Sequence, residues 1–414
     1  MNTINVSKII DNNNIKYPIW HPNVDSKNNA SNILNVAKGK GVFLYDINNM
    51  KYLDASSGFG NVLLGYSNDQ IEVNVLKQLS SLSHCSVNNT NLTAIKCATS
   101  LLKILPFNMK KIIFLNSNDE SVEVAAIIAT RFWELNGKSE KRKIFNFANG
   151  KETLFCLTCN QKEKHPKCDF KCIQSELKLI KNNSQEIAGV ILEPILRSKS
   201  LIVIPKKFIS ELQVICKECS ILLIMSEMAI GIYSEGEMFA FNKYNVVPDI
   251  ICIGKAINNG CFSFGVTAFS SKVMEVCSEF NEMLLDSISD INLLSCAACL
   301  STIAIHKQLD FEIINSNSIY IFNELMDKIS NHKNVLGVHN EGIITQIALV
   351  KNKKNEDRLK VEHIRELSNI LFKNGLIVIS SEVGITLLPM LTIRKDEVIL
   401  MLDIIDYTFK RIYF

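Results

Sequence analysis

The chain has 414 residues, of which 47% are hydrophobic, 8% aromatic and 21% charged. This composition is typical of a globular protein and excludes a disordered or fibrous one. The 45 Lys and Arg residues against 42 Asp and Glu residues give a net charge of +3. That balance does not favour a nucleic-acid partner or a polybasic membrane surface. We therefore expect a small-molecule ligand, and the length predicts a large domain plus a smaller one.

The cysteine content indicates the compartment. Thirteen cysteines are many for this length, and an odd number would leave one thiol unpaired in a secreted protein. The N-terminal segment MNTINVSKIIDNNNIKYP lacks the apolar stretch of a signal peptide. No run approaches the roughly 18 consecutive apolar residues of a membrane span. These features predict a reducing, cytoplasmic environment without a membrane partner.

The predicted elements begin with a hairpin over Gly41–Asp54, where apolar and polar residues alternate about an Asn-Asn turn. Helical periodicity follows over Asp69–Ser83 and Leu92–Leu105. Short apolar runs then alternate with longer amphipathic stretches. The predicted strands are KIIFLN, EIAGVILEP, ILLIM, DIICIG and VTAFS, and the predicted helices are Ser121–Leu135 and Lys206–Glu218.

This alternation predicts an α/β fold whose large sheet is mostly parallel and buried on both faces. Ligands of such sheets bind beyond the carboxyl ends of the strands. After a helix over Leu294–His306 the pattern changes to helix, two strands, helix, two short strands and a terminal helix Lys395–Arg411. We predict an N-terminal segment, 1–50, that contributes to the small domain, a large α/β domain, 51–309, and a small α+β domain, 310–414.

Several motifs occur in a characteristic order. They are SSGFGNVLLGYSNDQI, FLNSNDESVEVA, ILEP, ILLIMSEMAIGIYSEGEMFAFNKYNVVPDIICIGKAINNG and NLLSCAA. Together they resemble the class III aminotransferases, which are pyridoxal 5'-phosphate (PLP) enzymes of fold type I. Within that family, IWHPN, RFWELNGKSEKRKIFNFANG and PDIICIGKAINNG resemble the diaminopelargonate aminotransferases of biotin biosynthesis. The resemblance covers most of the chain.

The resemblance implies a homodimer with active sites at the subunit interface, PLP as cofactor, and a small-molecule amino donor and keto acceptor as substrates. Lys255 stands at the position of the catalytic lysine that binds the cofactor and moves the proton. The other implied cofactor-binding positions are Ser117, Asn118, Asp119, Glu193, Ser226 and Ser287, with Ser121 supporting Ser117 at the phosphate.

The chain departs from the family pattern around the cofactor. Where the family has an Asp-Glu pair after an apolar strand, this chain has Ser226 and Glu227. A serine hydroxyl cannot offset the charge of a protonated pyridine nitrogen, and Glu227 is expected on the opposite face of the strand. The phosphate turn reads SNDES, and we interpret its acidic pair, Asp119 and Glu120, as helix capping.

Two loops of the family pattern are also altered. The threonine that reaches the phosphate from the partner subunit aligns with Ile288, with Ser287 and Ser289 beside it. The aromatic-His-Gly turn that stacks on the ring is missing, because the chain passes from Gly150 to Lys151 and Glu152.

The arginine that binds the substrate carboxylate has no counterpart, since the candidate positions are Ile379 and Thr386. Arg394 follows the strands and is expected at the surface. Two hypotheses remain. The chain is an aminotransferase with impaired catalysis, or it is an inactive aminotransferase-like pseudoenzyme that binds or regulates a partner, for example as a heterodimer with an active paralogue.

The segment CLTCNQKEKHPKCDFKC, Cys156–Cys172, carries a CxxC hook with further cysteines and a histidine, a spacing compatible with tetrahedral zinc. The second pair has CxxxC spacing, which is not a usual hook, so we disfavour zinc and assign no metal ligand. His84 precedes Cys85, but no orienting partner is evident in the sequence. We interpret it as a helix-end histidine rather than part of a catalytic dyad.

Overall fold

The computed structural model describes residues 34–86, 88–147, 170–196, 202–227, 239–278, 291–354, 357–412 and 414. In these ranges the chain has the predicted α/β architecture, with one large sheet and several smaller ones. None of the helices there has both the length and the apolar character needed to cross a membrane. The cytoplasmic location stays a prediction.

The described chain starts with three antiparallel strands, β1 (Val36–Lys40), β2 (Phe43–Asp46) and β3 (Lys51–Asp54). Strands β2 and β3 form the predicted hairpin. Its turn is closed by the Asp46 carboxylate, which accepts hydrogen bonds from the backbone N–H groups of Asn48 and Met50 at 2.9 and 2.8 Å. Strand β1 was not predicted and pairs antiparallel with β2.

A six-stranded sheet, the central sheet, positions the predicted site. Its strands are β4 (Met109–Leu115), β5 (Lys143–Asn146), β6 (Ile187–Leu192), β9 (Leu222–Glu227), β10 (Ile250–Gly254) and β11 (Gly265–Ser270), and a separate pair is formed by β7 (Ile195–Leu196) and β8 (Ile202–Val203). The strand order is β4-β11-β10-β9-β6-β5. Strand β11 runs antiparallel to both of its neighbours, and the other five strands run parallel. Every residue of β6, β9, β10 and β11 is buried, as predicted for a sheet covered on both faces.

Eight helices of five or more residues accompany this part of the chain in the ranges that the structure describes. They are α1 (Asp69–Ser81), α2 (Leu92–Leu102), α3 (Asn118–Leu135), α4 (Phe170–Asn182), α5 (Lys206–Glu218), α6 (Ala240–Tyr244), α7 (Ser271–Ser278) and α8 (Leu293–His306). A short 3₁₀ turn, Lys255–Asn258, follows β10. Helix α3 begins three residues before the predicted start, because the Ser117 hydroxyl accepts a hydrogen bond from the N–H of Glu120 at 3.0 Å and caps the helix.

Side chains of the central strands alternate between two apolar clusters. The cluster under α3 contains Leu222, Ile224, Ile250 and Cys252. The cluster on the opposite face contains Leu223, Met225, Ile251 and Ile253, together with residues of α2, α5 and α8. Because successive strand residues face opposite sides, Ser226 belongs to the α3 face and Glu227 to the other.

The C-terminal part contains α9 (Phe311–Ile329), β12 (Val335–Glu341), β13 (Ile344–Asn352), β14 (Asp357–Arg358), α10 (Val361–Lys373), β15 (Leu376–Ile377), β16 (Ile379–Ser380), β17 (Gly384–Leu387) and α11 (Lys395–Phe409). Strands β12, β13, β17 and β16 form an antiparallel sheet in that order, and β14 pairs with β13. Strand β15 instead pairs parallel with β3. The predicted strand LIVI is therefore divided between two sheets. The exact domain boundaries stay a prediction.

Candidate functional site

The carboxyl edge of the central sheet brings the predicted site residues together. Lys255 directly follows β10, Glu193 follows β6, and Ser226 is the penultimate residue of β9. Ser117 lies between β4 and α3. Since β4, β6, β9 and β10 are parallel, their carboxyl ends meet at the same edge, where such sheets bind ligands. Of Lys255, the structure describes the backbone.

Two glycines allow the start of α3 to contact the ends of β10 and β11. A β-carbon on Gly254 would overlap the amide oxygen of Asn118 and lie 2.5 Å from its Cγ. A β-carbon on Gly265 would overlap the carbonyl oxygen of Ser117 and lie 2.8 Å from the carbonyl carbon. The first turn of α3 therefore lies against the residue that precedes Lys255.

Ser226 belongs to a row of small polar residues that crosses three strands. Thr267 pairs with Cys252, and Cys252 pairs with Ser226. The Thr267 hydroxyl and the Cys252 thiol donate to the carbonyl oxygen of Ser121 at 3.0 and 3.4 Å. The Ser226 hydroxyl is fully buried and makes no hydrogen bond within the described part of the chain. A buried hydroxyl without a partner costs roughly 1–3 kcal/mol, so a ligand atom that completes the bond would be stabilising here. The ring nitrogen of PLP is an atom of that kind.

Glu227 lies on the opposite face, as the strand alternation predicts. Its carboxylate is buried and accepts hydrogen bonds from the backbone N–H groups of Ala240 and Phe241 at 3.1 and 2.9 Å. These are the first amides of α6, where a carboxylate interacts favourably with the helix dipole. Glu227 is thus an anchor for α6 and does not replace the family's aspartate.

The first turn of α3 is built as a cap. Ser117 supplies the cap, and the Glu120 carboxylate accepts a hydrogen bond from the N–H of Asn116, the residue before the cap, at 2.8 Å. The acidic pair lies in the first turn, where it interacts favourably with the helix dipole, but it does not supply the predicted cap. The Ser121 hydroxyl donates to the carbonyl oxygen of Asn118 at 2.6 Å and is fully buried. Asp119 is exposed in the same turn. Phosphate binding by this turn stays a prediction, and the acidic side chain of Asp119 would oppose it electrostatically.

The turn after the predicted lysine is held by contacts that were not predicted from the sequence. Asn259 has a left-handed backbone with φ of 53°. Its side chain accepts a hydrogen bond from the N–H of Leu64 and donates to the carbonyl oxygen of Gly65, both at 2.9 Å. Asn258 is fully buried beside it, and its side-chain oxygen has no hydrogen-bond partner in the described residues. The asparagine pair was an available signal, because asparagine tolerates a left-handed backbone better than most residues.

Residues Ser57–Gly60 form a strained turn in the motif SSGFGNVLLGYSNDQI, whose Leu64 and Gly65 are hydrogen-bonded to Asn259. Their φ angles of 50°, 56°, 63° and 78° are all left-handed. The Asp54 carboxylate accepts hydrogen bonds from the N–H groups of Ser56 and Gly58 at 2.8 and 2.7 Å and from the Tyr66 hydroxyl at 2.6 Å. Burial and the adjacent Asp54 raise the pKa of Tyr66. This buried network offsets the cost of the left-handed residues.

The candidate positions for a substrate-binding arginine are built into the C-terminal sheet. Ile379 pairs with Thr386, and both side chains are buried. Arg394 lies at the surface, as predicted. Its side chain is 68% exposed and pairs with Asp396 and Glu397 at 3.2 and 3.0 Å. Neither candidate position supplies a cation for a carboxylate.

Several sequence predictions fall outside the described residues. They concern Ser287, Ile288 and Ser289, the segment Gly150–Glu152, and the cysteine cluster, of which only the backbone of Cys172 is described. Among the residues that the structure describes, no group of three or more His, Cys, Asp or Glu side chains is arranged to hold a metal ion. The roles of Ser287 and of the cysteine cluster stay predictions.

The sequence of the chain is similar to those of known proteins over most of its length. The sequence model of the family Aminotransferase class-III matches residues 25–182 and 154–409. The adenosylmethionine-8-amino-7-oxononanoate aminotransferase of Staphylococcus aureus is 27% identical over 434 residues, covering 93% of this chain and 94% of that protein. The acetylornithine aminotransferase of Clostridium acetobutylicum is 27% identical over 387 residues, covering 90% and 95%.

The fold is also similar to that of a solved aminotransferase structure. The crystal structure of adenosylmethionine-8-amino-7-oxononanoate aminotransferase from Methanocaldococcus jannaschii superposes with a TM-score of 0.86 at 25% identity, covering 98% of this chain and 99% of that one. The predicted fold, type I of the PLP-dependent transferases, is confirmed over nearly the whole chain. The chain belongs to the class III aminotransferase family.

Proposed function

We propose that this chain binds PLP through Lys255 and is related in function to adenosylmethionine-8-amino-7-oxononanoate aminotransferase, the diaminopelargonate enzyme, with impaired transamination. The position of Lys255 carries the proposal: it follows β10 at the sheet edge, and the preceding Gly254 contacts the first turn of α3. When bound, PLP supplies an electron-withdrawing ring that labilises a proton next to the substrate nitrogen. Lys255 would move that proton.

The remaining predicted residues would orient the cofactor. The Ser226 hydroxyl would contact the ring nitrogen, and Ser117 with Asn118 would contact the phosphate at the start of α3. Glu193 and, from a second subunit, Ser287 would complete the site. Because a hydroxyl lacks the charge of a carboxylate, we expect turnover several powers of ten below that of a site with the aspartate.

A titration with PLP tests this proposal. We expect a saturable visible absorption band in the wild type and its loss in Lys255→Ala. Lys272→Ala is the matched control, since Lys272 is an exposed lysine that pairs with Asp249 at 3.0 Å. It should bind PLP like the wild type. A wild type without the band, or an unchanged band in Lys255→Ala, contradicts the proposal.

Burial of Ile379 and Thr386 favours a second candidate function, an inactive binding or regulatory subunit. Ile379 packs in the apolar cluster that includes Met225 and Ile253. An arginine introduced there would be buried without a partner, which typically costs 3–5 kcal/mol. The position where the family has the arginine is therefore part of the core in this chain. One substitution cannot restore the arginine there.

Single-turnover assays separate the two candidates. The wild type and Ser226→Asp would be loaded with PLP and mixed with amino donors that carry or lack an α-carboxylate. Amine transfer that rises in Ser226→Asp supports an impaired aminotransferase. Its absence from both proteins supports the inactive subunit.

We also propose that a second copy of this chain packs on the apolar face of α1 and α2. The face consists of Val73, Leu76, Leu79, Leu92 and Ile95, and all five are exposed. Leu76 and Leu92 are 61% and 62% exposed. Thr93 on α2 donates a hydrogen bond of 2.6 Å to Gln78 on α1. Five large apolar side chains exposed on two hydrogen-bonded helices are more typical of an interface than of a surface that faces only water.

Light scattering tests the assembly. The wild type is expected to be a dimer, and Leu76→Glu combined with Leu92→Glu is expected to be a monomer. Ile319→Glu on α9 is the control, because Ile319 is equally exposed but lies elsewhere. A wild type that dimerises only with a second class III protein supports the heterodimer instead. A dimer that survives the double substitution contradicts the assignment of this face.

A further inference from the structure

We propose that the Ser226 hydroxyl holds the ring nitrogen of the bound cofactor in its neutral form. This inference rests on the proposed function, because PLP must first bind. The charge of the ring nitrogen determines which chemistry the chain supports. Lys255 and Ser226 would hold the cofactor, which with a neutral ring would supply a carbon for exchange of one amine for another, one released for each bound, but only a weak electron sink. Removing a proton from the substrate carbon needs the sink that a protonated ring provides.

The hydrogen-bonding capacity of Ser226 supports a neutral ring. Thr267 and Cys252, the neighbours of Ser226 in the polar row, both donate to the Ser121 carbonyl oxygen. The Ser226 hydroxyl is the buried member of the row that has no hydrogen-bond partner among the described residues. A hydroxyl can donate its proton to the lone pair of a neutral ring nitrogen. It can also accept from a protonated nitrogen, but it carries no negative charge to stabilise that form as a carboxylate does.

The charged groups around the row have defined positions. Glu227 faces away and bonds to α6, and Glu120 bonds to Asn116. Asp119 is exposed in the first turn of α3, and Lys255 follows β10. Glu193 is buried at the end of β6, the strand next to β9.

Two observations indicate whether the surroundings of Ser226 tolerate a charged group. Burial raises the pKa of the Cys252 thiol, so the position beside Ser226 disfavours charge. Glu193 is the buried carboxylate that could act as counter-ion to a protonated ring nitrogen, so the test has to exclude this role.

Binding of two cofactors tests the hydrogen bond. One is PLP, and the other is its analogue with a CH group in place of the ring nitrogen. The wild type should bind PLP about fivefold more tightly, the factor that corresponds to one net hydrogen bond of about 1 kcal/mol. Ser226→Ala should lose this preference. Ser270→Ala is the matched control, because the Ser270 hydroxyl is also buried and has no hydrogen-bond partner in the described part of the chain. Ser270 lies at the end of β11 away from the candidate site, so this variant should keep the preference.

The charge of the ring is measured directly by nitrogen NMR of isotope-labelled PLP bound to each variant. A neutral ring nitrogen is expected in the wild type and in Glu193→Gln, and a protonated one in Ser226→Asp. A protonated nitrogen in the wild type that becomes neutral in Glu193→Gln would assign the counter-ion to Glu193 and overturn the proposal. Equal affinity for both cofactors in the wild type also overturns it.

The outcomes distinguish this inference from the proposed function. PLP that binds through Lys255 without preference for the ring nitrogen leaves the proposed function intact and refutes the role of Ser226. No saturable binding of PLP to the wild type refutes both.

Discussion

The contact between Gly254 and Asn118 can be tested by a rescue experiment. Gly254 has φ of −156° and ψ of −160°, an extended backbone that alanine also adopts. The backbone therefore does not oppose Gly254→Ala. The new methyl group, however, would overlap the Asn118 amide oxygen and lie 2.5 Å from Cγ, against 3.4 Å or more for an ordinary contact.

The amide oxygen of Asn118 must move by roughly 1.5–2 Å, or the amide group must rotate away, to admit the methyl group. Overpacking on this scale typically costs 1–3 kcal/mol, so Gly254→Ala should lower the free energy of unfolding by about that amount. Asn118→Ala removes the obstacle. The double variant should therefore lie within about 0.5 kcal/mol of Asn118→Ala alone, and the two sites should couple by 1–3 kcal/mol.

Gly265→Ala is the matched control, because its methyl group would meet the backbone carbonyl of Ser117, which Asn118→Ala cannot remove. Urea unfolding gives the free energies, and PLP titration of each variant reports the site. Asn118→Ala should rescue Gly254→Ala and leave Gly265→Ala impaired. Wild-type stability in Gly254→Ala, or an equal loss with and without Asn118, would refute the packing of α3 against the end of β10.

Three other predictions concern stability. Burial lowers the pKa of His306 from 6.5 to about 3, so between these values the unfolded chain binds more protons and stability falls as the pH decreases, by up to about 1.4 kcal/mol per pH unit. His306→Leu should flatten this dependence in urea unfolding, and an unchanged slope would exclude His306 as its source. Lys141 is buried and donates to three carbonyl oxygens at 2.6, 3.2 and 3.3 Å, so Lys141→Met should lose roughly 1–3 kcal/mol, whereas Lys143→Met, at an exposed ion pair, should lose under about 1 kcal/mol. Equal losses would show that the carbonyl contacts of Lys141 contribute nothing. Glu227→Ala should speed hydrogen exchange of the first two amides of α6 by at least about tenfold, and unchanged exchange would contradict its anchoring role.

Much of the central sheet follows from local patterns. The apolar runs that became β6, β9 and β10 were predicted because strands buried on both faces need continuous apolar residues. Helix Lys206–Glu218 begins and ends at the predicted residues. The direction of β11 could not be predicted, since an apolar run is the same in either direction. The division of LIVI between two sheets depends on pairing with β3, more than 300 residues earlier in the chain.

The strand ends at which the candidate site residues lie could be predicted from the sequence, but their hydrogen bonds could not. Family resemblance placed Lys255 and Ser226 at the ends of adjacent strands, and the structure has them there. Within the described residues the Ser226 hydroxyl has no hydrogen-bond partner, and this depends on the side chains of neighbouring strands, which the local sequence does not encode. The predicted start of α3 is three residues late for a local reason: the capping role was assigned to Asp119 and Glu120, whereas Ser117 caps the helix.

The central claim is that Lys255 binds PLP, and chemical trapping tests it most directly. The protein would be mixed with PLP, reduced with borohydride and analysed by peptide mass spectrometry. One pyridoxyl group per chain on the peptide that contains Lys255, absent from Lys255→Ala, is the expected result. A chain without a pyridoxyl group, or with the group spread over other lysines, would contradict the claim.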